Sequence, residues 1–249
     1  MWLASLGSGS KGNATLVRSA QGCVLIDCGF SLKQFEKRLQ SLALSGQDID
    51  AILVTHEHSD HAAGVCRVAA KYGLPLLMTV GTARALEIRE YQRISGGQQL
   101  QLKDLIIDVI TVPHDAAEPV QFVFSEQSKQ RRLGILTDSG HISNHMLQAY
   151  DHLHALLLEF NYDPDMLREG PYPYHLKQRV AGSHGHLSNL QSIDLLRQIN
   201  TRELNCLIAA HISQKNNNAE LVSDLLQQLD CHTQAIIACQ NQGFNWIEV

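Results

Sequence analysis

The sequence predicts an α/β fold in which two β-sheets are covered by helices. Three observations lead to this prediction. Residues 2–27 read as three consecutive short strands, whereas the later sequence alternates strand-like and helix-like segments. Hydrophobic residues make up 44% and charged residues 18% of the chain, a balance typical of a globular protein. No repeat or linker divides the 249 residues, so we expect a single domain over 1–249.

The N-terminal strands are predicted from turn signals and apolar runs. They are expected over 2–6, 13–18 and 23–27. A tight turn at 20–22 separates the last two and favours antiparallel pairing. The apolar run 51–54 is typical of a fully buried strand, and it ends in a histidine-rich loop.

Helical periodicity appears between and after these strands. Ser31 is placed to cap a helix that reaches Leu42, since Phe35 and Leu39 lie four positions apart on one face. A further helix over 62–71 is expected to end at Gly73. The later strands are predicted over 105–112, 120–125, 132–137, 155–160, 204–209 and 235–237. The later helices are predicted over 143–150, 187–198 and 219–229.

Composition and charge exclude several classes of protein. The longest apolar runs, such as 51–54 and 155–158, fall far short of the roughly 18 residues that a membrane span needs. The first residues lack the features of a signal peptide, so we expect a cytoplasmic protein. The formal net charge is −5, so a nucleic acid would have to be held by a local basic patch or by metal charge.

The cysteines form no metal-binding or redox motif. They are scattered, without a C-x-x-C spacing, and are expected to be reduced thiols in a mostly apolar setting. They are Cys23, Cys28, Cys66, Cys206, Cys231 and Cys239.

The densest chemical motif is Thr55-His56-Glu57-His58-Ser59-Asp60-His61, directly after a buried strand. His56 and His58 are two positions apart on an extended segment, so their side chains project to the same side and can share one ion. Asp60 and His61 open a helix and point elsewhere, which suits a second ion. The helix N-terminus favours the carboxylate of Asp60, as a ligand or as a base on metal-bound water.

Three later residues complete the predicted metal shell, since each follows a predicted strand. They are His114, Asp138 and His211. The ligands then form two sets, with Asp138 bridging between them. One set is His56, His58 and His114, and the other is Asp60, His61 and His211. Imidazole and carboxylate ligands favour two Zn²⁺ or Mn²⁺ ions over Ca²⁺ or Mg²⁺.

The His-x-His-x-Asp-His motif and the ordered His, Asp and His that follow resemble the metallo-β-lactamase superfamily over nearly the whole chain. Further stretches are similar to its YycJ/WalJ-type branch: 7–13, 137–140, 170–173 with Leu176 and Lys177, 185–189, and 211–213 with Asn216 and Asn217. The resemblance implies a four-layer αββα sandwich, a binuclear site at one edge and nuclease activity on DNA. Tyr162 departs from the branch, which often has histidine there, and His184 lies in an unusual Ser-His-Gly-His context.

Motif spacing separates the chain from other members of this superfamily. His114 and Asp138 are 24 positions apart, too few for the tRNA-clamping arm of a tRNA 3′-processing enzyme. The 73 positions from Asp138 to His211 leave no space for an RNase J-like cap domain. A β-lactamase would lack the bridging Asp138, so phosphoesters or thioesters are expected. Glyoxalase II-like enzymes usually carry a helical C-terminal domain, and here 38 residues follow His211.

Other residues are candidates for holding substrate. The segment 8–13 could cradle a phosphate or could be a hairpin turn, and its candidates are Ser8, Ser10, Lys11 and Asn13. Lys177, with Arg168 and Arg179, could guide a polyanion or form an ordinary solvated surface. Tyr172 and Tyr174 could stack on bases or be structural.

The predicted function is a binuclear metal-dependent phosphodiesterase, a DNA exonuclease acting at strand ends through a metal-bridging hydroxide. His186 is the candidate acid for the leaving group, because the corresponding loop in related nucleases faces the metals, and Glu159 is the candidate to orient its ring. Two alternatives stay open. One is a small-molecule phosphodiesterase or glyoxalase II-like thioesterase, and the other is a non-catalytic metal-binding module. No membrane partner is expected, and the oligomeric state is unknown.

Overall fold

A computed structural model describes residues 1–126, 131–228 and 233–249 of the chain. Within these residues, two seven-stranded sheets form the framework. In spatial order, the first sheet contains β14 (Phe244–Glu248), β1 (Trp2–Gly7), β2 (Ala14–Arg18), β3 (Cys23–Ile26), β4 (Ala51–Leu53), β5 (Leu76–Met78) and β6 (Gln92–Arg93). The second contains β13 (Gln234–Ile237), β12 (Cys206–Ala210), β11 (Ala155–Glu159), β10 (Arg132–Leu136), β9 (Val120–Glu126), β8 (Leu105–Thr111) and β7 (Gln99–Leu102).

The strand directions bring the loops that carry the candidate ligands to one edge. β3 and β4 pair in parallel, as do β10, β11 and β12. β8 is antiparallel to β9, which is antiparallel to β10, so β8 runs in the same direction as β10. The carboxyl ends of parallel strands lie at the same edge of a sheet, where loops commonly carry binding residues.

Nine α-helices connect the strands in the described parts of the chain. They are α1 (Leu32–Gln40), α2 (Ser59–Ala62), α3 (Val65–Tyr72), α4 (Val80–Ala85), α5 (Asn144–Ala149), α6 (Pro164–Glu169), α7 (Tyr174–Ala181), α8 (Asn189–Gln198) and α9 (Ala219–Gln227). Among the described residues, no helix combines the length and apolar character that a membrane crossing needs.

Alternation along the strands produces the layers. In β3, Val24 lies in the core between the sheets, whereas Leu25 faces the cluster that contains Phe35 of α1. In β11, Leu157 joins the same inter-sheet core, whereas Leu156 packs in the cluster that contains residues of α5 and α8. Because successive strand residues point to opposite faces, each sheet packs on the other sheet and on helices. The predicted four-layer αββα sandwich is confirmed.

Several element boundaries differ from the predictions. The helix predicted over 62–71 is two helices, α2 and α3, which are separated at Gly64. A Cβ on Gly64 would lie 2.0 Å from the carbonyl oxygen of Phe30, so the chain bends where glycine permits a close approach. The helix predicted over 187–198 begins at Asn189, because Ser188 caps it with Gln191 in a capping box. The helix predicted over 219–229 ends at 227, and residue 229 lies outside the described residues.

Some elements were not predicted at all. They are β5, β6, β7, β14, α4, α6 and α7. Most are short or polar. α6 begins with a proline and α7 follows one, and prolines read as loop signals in the sequence. The strand predicted over 204–209 runs from 206 to 210 instead.

Candidate metal centre

The candidate ligands lie in loops that leave the strands at the shared edge. His56 and His58 follow β4, His114 follows β8, and Asp138 and His211 follow β10 and β12. Asp138 and His211 adopt positive φ angles of 54° and 53°. Such backbone conformations are uncommon for residues other than glycine and often accompany functional sites.

The first predicted set is brought together around His56. One ring nitrogen of each of His56, His58 and His114 lies within 4.8 Å of the other two. The Nδ1 of His56 contacts Thr55 Oγ1 at 2.9 Å, which leaves its Nε2 for the shared space. The Nδ1 of His114 contacts the carbonyl oxygen of Gly185 at 2.9 Å, and its Nε2 lies 3.3 Å from His58 Nδ1. His56 and His114 are therefore each held by one ring nitrogen and offer the other.

The second predicted set is Asp60, His61 and His211, which also meet within 4.8 Å. The Nε2 of His61 lies 3.5 Å from Asp60 Oδ2, and the Nε2 of His211 lies 3.8 Å from the same oxygen. Asp27 contacts the other nitrogen of His61 at 2.8 Å, and it also accepts hydrogen bonds from the backbone and hydroxyl of Thr55. Asp27 was not predicted as a site residue, although it follows an apolar strand just as Asp138 does.

Asp138 lies between the two sets. Its Oδ2 is 3.2 Å from His61 Nε2, and its Oδ1 is 4.0 Å from His114 Nε2. The same Oδ1 lies 3.2 Å from His211 Nδ1. One carboxylate therefore reaches a residue of each set, as a bridging ligand would have to.

Two buried atoms test whether these residues fit metal ions. His56 Nε2 has no hydrogen-bond partner in the part of the chain that the structure describes, and Asp138 Oδ2 forms no hydrogen bond there either, although it lies 3.2 Å from His61 Nε2. Buried polar atoms are normally paired, so orphaned atoms need an explanation. Both atoms belong to groups that bind divalent transition metals, and both face other such groups. The residues fit a site for divalent metal ions.

Burial and charge set the protonation of the rings in the metal-free protein. Burial, followed by the charge of His61, lowers the pKa of His56 well below its usual range, so this ring is neutral as a ligand must be. Burial also lowers the pKa of His211, but the charge of Asp138 and the contact with Asp60 outweigh it and raise the pKa to about 10. An ion at this position must displace that proton, so its affinity rises with pH.

Glu159 and His186 lie against the second set. Glu159 is fully buried at the end of β11, and its Oε1 is 2.9 Å from the Nδ1 of both His186 and His211. Its Oε2 accepts hydrogen bonds from the backbone N–H groups of Leu187 and Ser139. Burial opposes the charge of Glu159, but the charge of His186 and the side-chain contacts with His186 and His211 outweigh it and lower the pKa to about 2.

One ring nitrogen of His186 does not contact Glu159 and is available to a molecule in the cleft. Its side chain is 21% exposed, and because Nδ1 faces Glu159, the Nε2 is left for other contacts. Burial lowers the pKa of His186, but the charge of Glu159 outweighs it, and the net change is upward. The ring therefore holds its second proton to higher pH than an ordinary histidine.

An open cleft of about 330 Å³ gives access to these groups. Its lining includes Asp60, Asp138, His186 and His211. Tyr172, Arg179 and Asn216 also line the cleft, and Arg179 forms an ion pair with Asp115.

The candidate substrate residues at 8–13 are placed differently from one another. Ser8 is buried and accepts a hydrogen bond from the backbone N–H of His211 at 2.9 Å. Asn13 is also buried, and its Nδ2 lies 3.0 Å from His61 Nε2 and 3.3 Å from Asp60 Oδ2. These contacts favour holding the ligands over touching substrate. Ser10 lines the cleft, and Lys11 is exposed.

The remaining candidates lie on or beside α7. The Nζ of Lys177 donates to the carbonyl oxygen of Arg168 at 2.6 Å, and both residues line a second groove that also contains Tyr174. Tyr162, the departure noted in the sequence, lines this second groove and packs against Leu167. His184 is exposed.

Gly29 lies against the loop that carries the candidate ligand Asp60, so a substitution at Gly29 tests how closely these two segments must pack. A Cβ on Gly29 would lie 1.9 Å from the carbonyl oxygen of Asp60. We expect Gly29→Ala to lower the free energy of unfolding by roughly 1–3 kcal/mol or more and to weaken metal binding, because the ligand loop must move. Denaturant titration and metal analysis measure the two effects.

Gly22→Ala is the matched control, since its Cβ would meet nothing closer than 3.5 Å. Equal loss of metal in the two variants would show that the contact between Gly29 and the ligand loop does not matter.

Comparisons with known proteins agree with this geometry. The sequence profile of a family described as "Beta-lactamase superfamily domain" matches residues 23–212. The chain is 35% identical over 234 residues to the "Exodeoxyribonuclease YycJ" of Bacillus anthracis, covering 90% of this chain and 88% of that protein. It is 33% identical over 225 residues to the "Exodeoxyribonuclease WalJ" of Streptococcus pneumoniae, covering 87% and 83%.

The fold is also similar to solved structures. The metallo-β-lactamase fold protein YhfI from Bacillus subtilis superposes with a TM-score of 0.77 at 14% identity, covering 99% of both chains. At this identity the similarity describes the fold alone.

Proposed function

Because the chain belongs to the metallo-β-lactamase superfamily, within its YycJ/WalJ-like branch, we propose that it is a binuclear phosphodiesterase that degrades DNA from strand ends. It is a metal-dependent hydrolase, as its family and its named relatives indicate. The observation that carries the proposal is the position of Asp138 between two ligand sets, with one oxygen unpartnered among the described residues.

The candidate ligands form two sets, one for each proposed metal ion. His56, His58 and His114 would hold one, Asp60, His61 and His211 the other, and Asp138 would contact both. Two bound Zn²⁺ or Mn²⁺ ions would supply Lewis acidity for a phosphate oxygen and a water of lowered pKa. Asp27 and Glu159 orient the rings of His61 and His211 through their second nitrogens. Asp60 serves as a ligand or as a base toward the attacking water.

His186 supplies the proton for the leaving oxygen. Water adds to phosphorus and loses a proton to a base, for which Asp60 is the candidate. The bond from phosphorus to the leaving oxygen breaks, and that oxygen takes a proton from His186 Nε2. Glu159 holds the other nitrogen at 2.9 Å, which fixes the ring and stabilises its charged form. The carboxylate does not need to move during the reaction.

Local positive charges would have to bind the phosphates of a DNA strand. The net charge of −5 gives no general attraction to DNA. Arg179 is paired with Asp115, so we assign the phosphate contacts to Lys11 and Lys177, the first beside Ser10 at the cleft and the second in the groove on α7.

Lys11→Ala and Lys177→Ala test this grip. Each is expected to weaken DNA cleavage and to lower its salt dependence by about one phosphate contact, while a small diester is hydrolysed normally. Rates of DNA cleavage and of small-diester hydrolysis, measured over a series of salt concentrations, check this expectation.

Lys103→Ala is the matched control, because Lys103 precedes β8 and lies at the end of that strand away from His114. An equal loss on DNA and on the small diester would assign the two lysines to the site or the fold instead.

We propose DNA as the partner of the protein. We also propose that the protein is located in the cytoplasm. Five cysteines that the structure describes are free thiols: Cys23, Cys28, Cys66, Cys206 and Cys239. Free thiols suit a reducing compartment. Cys231 lies outside the described residues.

A metal-reconstituted activity panel tests the proposed function. The metal-free protein is loaded with Zn²⁺ or Mn²⁺ and given end-labelled single- and double-stranded DNA, RNA, a small phosphodiester and a glutathione thioester. We expect metal-dependent cleavage of DNA in excess of the other substrates. Activity on the thioester or on the small diester without any on polymers would replace the proposal with the corresponding small-molecule hydrolase.

A further inference from the structure

The run Asn216-Asn217-Asn218 contains two asparagines with evident structural contacts. Asn217 Nδ2 donates to the carbonyl oxygen of Phe160 and to Asn189 Oδ1, both at 2.8 Å, and its Oδ1 accepts from Asn189 Nδ2. The side chain of Asn218 accepts the backbone N–H of Leu221 at 2.7 Å and caps α9. The folded protein itself accounts for both residues.

Asn216 differs from its neighbours. It is 1% exposed and lines the metal cleft, yet its Oδ1 has no hydrogen-bond partner among the described residues. Its Nδ2 has only a long contact of 3.4 Å with Ser213 Oγ. A Cβ on Gly170 would lie 2.9 Å from the unpartnered oxygen, so a side chain there would cover it. A buried acceptor without a donor is unfavourable unless another molecule supplies one.

An aromatic ring and a positive charge accompany this acceptor. Tyr172 lines the same cleft, and the Nζ of Lys215 lies 5.4 Å from the centroid of its ring. Lys215 is exposed and forms no ion pair with any described residue. A base can stack on an aromatic side chain that lines a cleft, and a nearby cation can attract the phosphate attached to that base.

We propose that Tyr172, Lys215 and Asn216 form a nucleoside subsite for the terminal nucleotide of the DNA strand. Tyr172 stacks on the base, Lys215 attracts a neighbouring phosphate, and Asn216 Oδ1 accepts a hydrogen bond from an amino group of the base. This inference rests on the proposed function, since Tyr172 and Asn216 line the cleft that also contains Asp60 and His211.

The groove on the other side of α7 is a weaker candidate for this role. It contains Tyr174, which is 75% exposed, but it does not include any of the candidate metal ligands. Its Arg168 pairs with Asp165 and Glu169, so its charge is already balanced. Tyr174→Ala is therefore the matched control for Tyr172→Ala.

The test uses the metal-loaded protein and oligonucleotides that differ only in the terminal nucleotide. The terminus carries adenine, purine without the amino group, or an abasic residue, placed at either end of the strand. We expect wild type to prefer adenine over the abasic end by roughly 10-fold or more in kcat/KM, with purine between them. Tyr172→Ala should lose most of the preference over the abasic end, and Asn216→Ala should lose the preference of adenine over purine.

Further measurements separate a loss of the subsite from a loss of folding or of bound metal. Lys215→Ala removes an exposed side chain that lies beside the ring of Tyr172, and it should slow cleavage of all three DNA ends. Melting temperature and metal content show whether Asn216→Ala is folded. Equal rates on adenine and abasic ends in wild type, or an unchanged preference in Tyr172→Ala, would overturn the subsite while DNA cleavage itself stands. Metal-dependent hydrolysis of small diesters without any cleavage of DNA would overturn the proposed function and the subsite with it.

Discussion

His186→Ala should retain both metal ions and lose roughly 10²- to 10⁴-fold of the rate of DNA cleavage, the usual contribution of a positioned acid. The loss should be much smaller on a nitrophenyl phosphodiester, because its leaving group needs no proton. The variant leaves Glu159 satisfied, since this carboxylate keeps its contacts with His211 and with the N–H groups of Leu187 and Ser139. Single-turnover rates on both substrates, with metal content measured alongside, check this result.

His184→Ala is the matched control, because it alters an exposed histidine in the same Ser-His-Gly-His segment. Loss of metal in His186→Ala would make this residue a ligand or a structural support. An equal defect on both substrates would remove it from the role of acid.

Asp138→Asn and Asp138→Ala should lower metal occupancy and activity together. Wild type is expected to bind about two ions per chain, and loss of the shared carboxylate should weaken binding by more than the roughly 10- to 100-fold typical of a supporting residue. Both DNA and the nitrophenyl diester should be affected, in contrast to His186→Ala. Asn tolerates the φ of 54° at this position better than Ala, so agreement between the variants separates ligand loss from backbone strain.

Metal analysis of the fully loaded proteins provides the measurement. Asp108→Ala is the control, because Asp108 lies within β8 and contacts Gln99 at a distance from the ligands. At most one ion in fully loaded wild type would rule out the binuclear arrangement.

The candidate metal ligands were chosen from sequence because each motif that carries them follows a predicted strand. The buried run at 51–54 and the strand before Asp138 end at the same edge, and local patterns show where such strands end. Asp27 follows the same pattern, but its contact with His61 joins residues 34 positions apart, and no local pattern shows that pairing. The contact predicted between Glu159 and His186 is present, whereas the contact of Glu159 with His211 depends on the pairing of β11 and β12.

The elements that shape the cleft were harder to predict. α6 and α7 are short and polar and have a proline at the N-terminus, so they resemble loops in the sequence, yet α7 carries Arg179 at the cleft. Ser8 and Asn13 read as phosphate contacts because small polar residues between glycines often bind anions. In the fold the same groups hydrogen bond to His211 and to the Asp60 and His61 pair. Whether these groups bind a phosphate or hold the candidate ligands depends on tertiary contacts, which the local sequence does not show.

Comparing linear DNA with covalently closed circular DNA of the same sequence tests the central claim most directly. The metal-loaded protein should release mononucleotides from the linear molecule, leave the closed circle intact, and begin to degrade the circle once it is cut open. Chelation should stop the reaction, and Zn²⁺ or Mn²⁺ should restore it. Equal cleavage of the closed circle, or degradation of linear DNA that persists after the metals are removed, would contradict a metal-dependent exonuclease acting at DNA ends.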